Sequence, residues 1–240
     1  LNGPARILEV AELDFAYDPA PWRFAESESD RIARHWAESR ERKPALFNGR
    51  VLLLRRRELD ERPGGGLRLS GSFFETDYAS YVAWRDWGHA SERVENCFSM
   101  AALRAADGAF LLGEMASHTL NDGRIYFPAG TPDPNDVVDG RVDLEASARR
   151  ELFEETGLRA EEGTVGRGWT VVFAPGRVAC MKLMTLAVPA AEAKARIEAF
   201  LARDPLAELT RMHIVRNAED IDERRSPSHV TAYLRAAMKA

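Results

Sequence analysis

Residues 127–158 run Phe127-Pro-Ala-Gly130, a polar loop, then Ala148-Arg-Arg-Glu151-Leu-Phe-Glu154-Glu155-Thr-Gly157-Leu158. Glu151, Glu154 and Glu155 fall at i, i+3 and i+4, so on a helix they share one face. Like charges held so close repel, and the arrangement makes sense around a divalent cation, since hard cations such as Mg2+ bind through a few carboxylates plus substrate phosphates. Glu-rich helix faces are commonly just solvated, but the neighbours of this one change its meaning. Arg150 stands four residues before Glu154 and can pair with it. Leu144, Ala148 and Leu152 make an apolar stripe beside Glu151 and Glu155, so the acidic face borders the buried one. Gly157 sits where a left-handed C-cap is wanted. Upstream, the apolar strand Arg124–Phe127 ends at Pro128-Ala129-Gly130. A strand, a tight glycine loop and an acidic helix form a compact metal–phosphate site.

Arg150, Glu151, Leu152, Glu154, Glu155, Gly157 and Leu158 resemble the Nudix hydrolases, whose signature is G-x5-E-x7-R-E-U-x-E-E-x-G-U with U aliphatic; they match its closing run from Arg150 to Leu158 without a gap. The opening half departs. Val142 stands where the outlying Glu belongs and Asp136 where the opening Gly belongs, because an insertion, Thr131 to Gly140, stretches the loop. Asp139, Asp143 and Glu145 are candidates for the missing carboxylate, and Asp143 is equally well explained as a helix N-cap. The resemblance implies an α/β fold, an α/β/α sandwich over a mixed sheet across residues 95–240, with residues 1–94 as an N-terminal α+β extension. It implies hydrolysis of the diphosphate linkage in a nucleoside diphosphate joined to another moiety, with Mg2+ or Mn2+ as cofactor. Glu151, Glu154 and Glu155 would then be metal ligands or general base, a backbone carbonyl at Ala129 or Gly130 would reach the metal, and Arg150 would orient a carboxylate. A further acid often comes from a distant loop in this family; Glu219, Asp220 and Asp222 are the candidates. Homodimers are frequent in the family, so the resemblance allows one here.

The 240 residues are 45% hydrophobic and 30% charged, ample for a core. A net charge of −5 argues against a dedicated nucleic-acid binder, since no basic excess exists to neutralise a phosphate backbone. A small anionic nucleotide bridged by a cation remains compatible. The two cysteines, Cys97 and Cys180, lie in apolar surroundings and read as reduced core residues. No apolar run is long enough for a transmembrane helix, and Leu1-Asn-Gly-Pro4 lacks a secretory pattern, so a cytoplasmic location away from membranes is expected.

Along the chain, residues 7–17 alternate as a strand, 27–42 read as a helix, and residues 46–54 as a strand with Asn48-Gly49 as a turn. Arg55-Arg-Arg57 reads as a solvated edge or as a phosphate contact, and His35 as packing. Tyr78 to Trp87 forms a short aromatic helix capped by Thr76 or Asp77, serving either as core or as a stacking wall for a base or sugar. Further strands are expected at 97–103, 109–114, 169–173, 178–188 and 209–215, and helices at 143–156, 190–203 and 230–238. The aromatic segment and the long loop are compatible with a nucleotide-sugar substrate; ADP-ribose, dinucleotide and coenzyme A types stay open. The lost acid at Val142 motivates the alternative of a nucleotide-binding scaffold with little or no turnover. RNA processing is disfavoured by the acidic charge.

Overall fold

The chain begins with strands β1 (Arg6–Val10) and β2 (Glu12–Tyr17), helices α1 (Arg23–Ser27) and α2 (Ser29–Arg42), strands β3 (Arg50–Glu61) and β4 (Leu67–Asp77), and helix α3 (Tyr78–Asp86). Then come β5 (Asn96–Arg104), β6 (Phe110–Met115), the short β7 (Ile125–Tyr126), β8 (Ala129–Gly130), β9 (Val137–Val138) and β10 (Arg141–Val142), and helix α4 (Leu144–Thr156). The last part holds β11 (Gly163–Val165), β12 (Trp169–Ala174), β13 (Arg177–Leu186), α5 (Ala190–Leu201), β14 (Leu209–Val215) and α6 (Ser228–Ala237). The computed structural model describes residues 5–88 and 94–239. Leu1-Asn-Gly-Pro4, read above for a signal pattern, lies outside the described residues.

Among the described residues the strands form two mixed sheets. The main one runs β1-β12-β13-β5-β6-β14, with β11 on β13, β7 on β6 and β8 on β5. Its β13–β5 pair is parallel and its other pairs antiparallel. The second sheet runs β3-β4-β2-β10-β9. Successive side chains on a strand point to opposite faces, and the main sheet uses both. Cys97, Val171, Val178 and Cys180 turn to one side, where they pack with Phe15, Leu52 and Phe73 of the second sheet and with Val142 and Leu144 at the start of α4. Phe98, Val172, Ala179 and Met181 turn the other way, into the larger core that also takes Val230, Tyr233 and Leu234 of α6. With α4 on one face and α6 on the other, the α/β/α arrangement expected from sequence is present.

Strand pairing crosses the expected boundary at residues 94–95. β1 closes the edge of the main sheet on β12, and β10 enters the second sheet through Arg141 opposite Ala16. The expected strand over residues 7–17 is therefore two strands in different sheets. Val10 and Phe15 are buried in the same cluster, so the chain passes from one sheet to the other around shared apolar contacts. The expected helix at 27–42 starts earlier and breaks at Glu28. Asn48 does not turn a hairpin; its side-chain oxygen accepts the Ala79 N–H at 2.8 Å and helps start α3, whose N-cap is Asp77. The basic run lies within β3. Arg55 stacks over Phe74 and donates to the carbonyls of Ala20 and Pro21, and Arg57 lies over Phe173 and pairs with Glu95. His35 pairs with Asp86 and meets the Trp87 ring edge-on, a packing role. Cys97 and Cys180 are buried free thiols 3.9 Å apart.

Candidate active site

Helix α4 is held at both ends by the residues its sequence supplies. The Asp143 carboxylate accepts from the N–H groups of Glu145 and Ala146 at 3.0 and 2.9 Å, filling orphan donors of the first turn. Gly157 ends the helix at φ 70°, where a Cβ would be strained. Leu144, Ala148 and Leu152 are buried as the apolar stripe requires.

Of the three signature carboxylates, two enter the protein and one faces out. Glu155 is 6% exposed. The Glu151 side chain is 13% exposed and that of Glu154 54%. The inward pair meets the end of β8. A Cβ at Gly130 would run into the Glu151 carboxylate, so only glycine lets helix and strand come this close. The Ala129 N–H faces Glu155 and favours its charged form. β8 is itself fixed on β5, with Ala129 opposite Met100 and Gly130 opposite Ser99.

Burial and mutual repulsion dominate the electrostatics of this corner. Burial, then Glu154, Glu208 and Asp136, push Glu151 up to about 7 against the pull of Arg150. Burial, then Glu151 and Glu208, push Glu155 well above the carboxylate range. Glu155 Oε2 is buried with no hydrogen-bond partner. A hard divalent cation would supply the missing charge, so the donor set fits one. Among the described residues no three His, Cys, Asp or Glu side chains converge into a closed metal cage. Mg2+ does not need one, since it usually takes one or two carboxylates and completes its shell with water and phosphate oxygens.

Arg150 sits among three carboxylates. Its guanidinium reaches Glu151 at 2.9 Å and Glu154 at 3.2 Å, and grips both oxygens of Asp136 at 3.1 and 3.3 Å. Asp136 is 4% exposed and also accepts the Asp133 N–H. The sequence marks Asp136 only as a misfit for the opening glycine. In space it joins the arginine to the stretched loop.

The residues considered as replacements for the missing acid are engaged elsewhere. Val142 is apolar core. Asp143 is the N-cap, Glu145 pairs with Lys182 at 2.7 Å and Arg149 at 2.9 Å, and Asp139 takes a left-handed backbone on the turn from β9 to β10. Of the distant acids, Asp220 accepts the N–H groups of Arg216 and Asn217, Asp222 pairs with Arg225, and neither they nor Glu219 line the cleft beside Glu151. Two acids that sequence reasoning missed do line it, Asp122, which pairs with Lys43, and Glu208, which also stands beside Glu151 and Glu155 in the adjoining hollow. Nothing local marks Glu208. It arrives because its carbonyl accepts the Ala116 N–H and Leu209 stands opposite Met115, a pairing between segments far apart in the chain.

Glu151, Ala129 and Gly130 stand in the wall of a cleft of about 720 Å3. Tyr78 and Tyr81 of α3 line it, as do Phe98, Asn96, Thr131, Arg85, Arg124, Arg177 and His229. The two readings of the aromatic segment therefore divide along the helix. Tyr78 and Tyr81 face the cleft, while Trp84 is fully buried core and Trp87 packs on Phe24 and His35.

Residues 97–196 match the family model of the NUDIX domain. No curated protein sequence matches the chain. Among solved structures it is similar to a MutT protein from Methanosarcina mazei Go1, with 17% identity, 60% of this chain and 94% of that one covered, and a TM-score of 0.42. It is also similar to the Nudix hydrolase RenU from M. smegmatis, with 15% identity, 58% and 81% covered, and a TM-score of 0.36. The E. coli ORF135 protein gives 18% identity, 61% and 96% covered, and a TM-score of 0.34. At these scores the structural likenesses carry no weight beside the domain match. By that match, residues 97–196, which include the signature helix α4, form a NUDIX domain.

Proposed function

We propose that the corner formed by Glu151, Glu155 and the end of β8 is the catalytic centre, that it works with Mg2+ or Mn2+, and that the substrate is of nucleotide-sugar or dinucleotide type. The NUDIX domain at residues 97–196 supports pyrophosphohydrolase activity on nucleoside diphosphate derivatives. The observation that carries the finer reading is the pair of inward carboxylates raised by burial at the end of β8, Glu155 with an oxygen that has no partner and Glu151 against Gly130 in the wall of a 720 Å3 cleft. Clefts of this size accommodate a nucleotide, and the two tyrosines offer flat apolar surfaces for a base or sugar. Glu151 and Glu155, with Glu154 at the rim and a carbonyl of Ala129 or Gly130, would hold the cation. When bound it neutralises phosphate oxygens and lowers the pKa of an attacking water. Arg150 fixes the orientation of Glu151 and Glu154, and the glycine contact sets the distance between helix and strand.

The alternative of a binding scaffold without turnover rests on Val142. The grip of Asp136 on Arg150 weakens it, because a carboxylate still orients the signature arginine. The retained Glu155 weakens it further, since a buried carboxylate oxygen without a partner is a stability cost that a retired site has no reason to keep. Product analysis across UDP-sugars, ADP-ribose, dinucleoside polyphosphates and coenzyme A, with Mg2+ and with Mn2+, tests the reading. Glu154→Gln combined with Glu155→Gln should abolish metal-dependent release of phosphate products; unaltered turnover would overturn it.

A further inference from the structure

The cleft has a second polar pole that diphosphate hydrolysis does not use. Arg177, at the start of β13, lines it half-buried and has no hydrogen bond or ion pair among the described residues. The other two cleft arginines are engaged, Arg85 with Asp86 at 2.9 Å and Arg124 with the Arg224 carbonyl at 3.2 Å. A guanidinium drawn partly out of water without a counter-charge is costly unless a ligand supplies one.

His229 stands beside it. It is 5% exposed, its ring meets Phe98 edge-on, it lines the cleft, and its Nδ1 is buried without a hydrogen-bond partner. Burial and the nearby Arg177 push it down to about 3, so at neutral pH the ring is uncharged and carries one N–H. The third element is the amino end of α6. This helix has ten residues, and Pro227 at its N-cap position provides no side-chain cap. Both Pro227 and His229 line the cleft, so the uncapped, partially positive end of the helix opens into it.

Strand register places this pole away from the carboxylates. Gly130 lies opposite Ser99 on one side of β5 and Arg177 opposite Asn96 on the other. Three residues along the strand and two strand spacings across put their Cα atoms roughly 14 Å apart. The cleft thus has an acidic pole at Glu151 and Glu208 and a basic pole at Arg177, with Tyr81 also in its wall.

We infer that Arg177, His229 and the amino end of α6 bind a second anionic group, a carboxylate or phosphate carried by the substrate away from the diphosphate that is hydrolysed. This rests on the proposed diphosphate substrate, and it narrows that class to derivatives bearing an extra negative charge.

Two matched pairs test it. UDP-glucose and UDP-glucuronate differ by a carboxylate, and NAD and NADP by a phosphate. Equilibrium binding by calorimetry and steady-state kinetics are measured on the full chain, on Arg177→Gln and on the charge-retaining Arg177→Lys. In at least one pair the charged member should bind the unaltered chain about tenfold more tightly. Arg177→Gln should collapse that ratio towards one and Arg177→Lys should keep most of it. Preference in the carboxylate pair alone or the phosphate pair alone identifies which anion the pole accepts. A ratio near one in both pairs, a ratio unchanged by Arg177→Gln, or no binding of either charged compound overturns the inference. Hydrolysis without charge preference overturns this inference and leaves the proposed activity standing. Charge-selective binding without hydrolysis of any of the four supports the pole and counts against the proposed activity.

Discussion

The two ends of helix α4 treat their carboxylates in opposite ways. At the start, burial works against the charge of Glu145, but Lys182 and Arg149 outweigh it and hold its pKa below the ordinary value. One to three turns further on, burial and mutual repulsion push Glu151 up to about 7 and Glu155 well above the carboxylate range. The helix, propensity and backbone geometry are the same; the difference is whether the protein's own cations outweigh burial. Lys182 is buried, lies over Trp169 and has been placed to complete Glu145. Nothing comparable completes Glu155. Glu145 is matched by two cations, whereas Glu155 keeps a buried oxygen without a partner, and Glu151, held by Arg150, lines the cleft. That contrast, more than the count of glutamates, separates a charged surface from a site.

The largest effect expected from this contrast lies at its functional end. Glu155→Gln keeps shape and removes charge. It should lower kcat by about 10²–10³-fold, in the range seen when a preorganised electrostatic element of a catalytic site is lost. The same substitution should raise the melting temperature of the metal-free protein, because a buried, uncompensated carboxylate becomes a neutral amide. Kinetics with Mg2+ and calorimetric melting in chelator measure the two. A fall in both would mean that Glu155 is a structural acid after all.

Val142→Glu asks whether the outlying acid of the signature matters by position in sequence or by place in space. Val142 packs with Phe15, Cys97 and Leu144 between the two sheets. A carboxylate there restores the signature and should still cost about 3 kcal/mol, the lower end for an uncompensated buried charge, with no gain in kcat. Denaturant unfolding and kinetics decide it. A stable and faster variant would show that the loop can rearrange to present residue 142 to the site.

At the paired end, Glu145→Gln leaves Lys182 buried without its carboxylate and should cost about 2 kcal/mol, less than a fully buried pair because Glu145 is part exposed. The pH dependence follows from the lowered pKa. The folded protein holds Glu145 ionised at lower pH than the unfolded chain does, so its stabilisation is present above the ordinary carboxylate value of 4.5 and is lost as pH falls through the folded value. The difference between the unaltered chain and Glu145→Gln should therefore shrink from pH 7 towards pH 3. A difference constant across that range would place the stabilisation outside the ion pair.

The same contrast explains what was legible in the sequence. Local rules reached the caps, the apolar stripe, Gly157 and Gly130, because each depends on residues within a turn or two of itself. They also placed most of the strands that alternate cleanly. They did not reach the break between β1 and β2, since alternation continues through Ala11 while the chain changes sheet around Val10 and Phe15. Nor did they reach Glu208, brought in by pairing of β14 with β6. Arg177 and His229 share a cleft although they stand at the openings of a strand and a helix far apart in the chain. Positions created by sheet register leave no mark on neighbouring residues.

Asp136 belongs to that second kind, and its substitution is the mildest and most discriminating test. Asp136→Asn keeps the size of the side chain and its acceptor for the Asp133 N–H, and removes only the charge facing Arg150. If Asp136 does the work that the signature assigns to position 142, the loss should appear as looser positioning of Glu151 and Glu154. Apparent affinity for Mg2+ or Mn2+ should then fall about tenfold, typical of a residue that orients a ligand without touching the metal. Stability should change by less than about 1 kcal/mol, since Arg150 still holds Glu151 and Glu154. Metal titrations of activity and of binding, run side by side, separate this from simple weakening of the fold. A large loss of stability with unchanged metal affinity would make Asp136 a brace for the stretched loop and leave the role of the outlying acid unfilled.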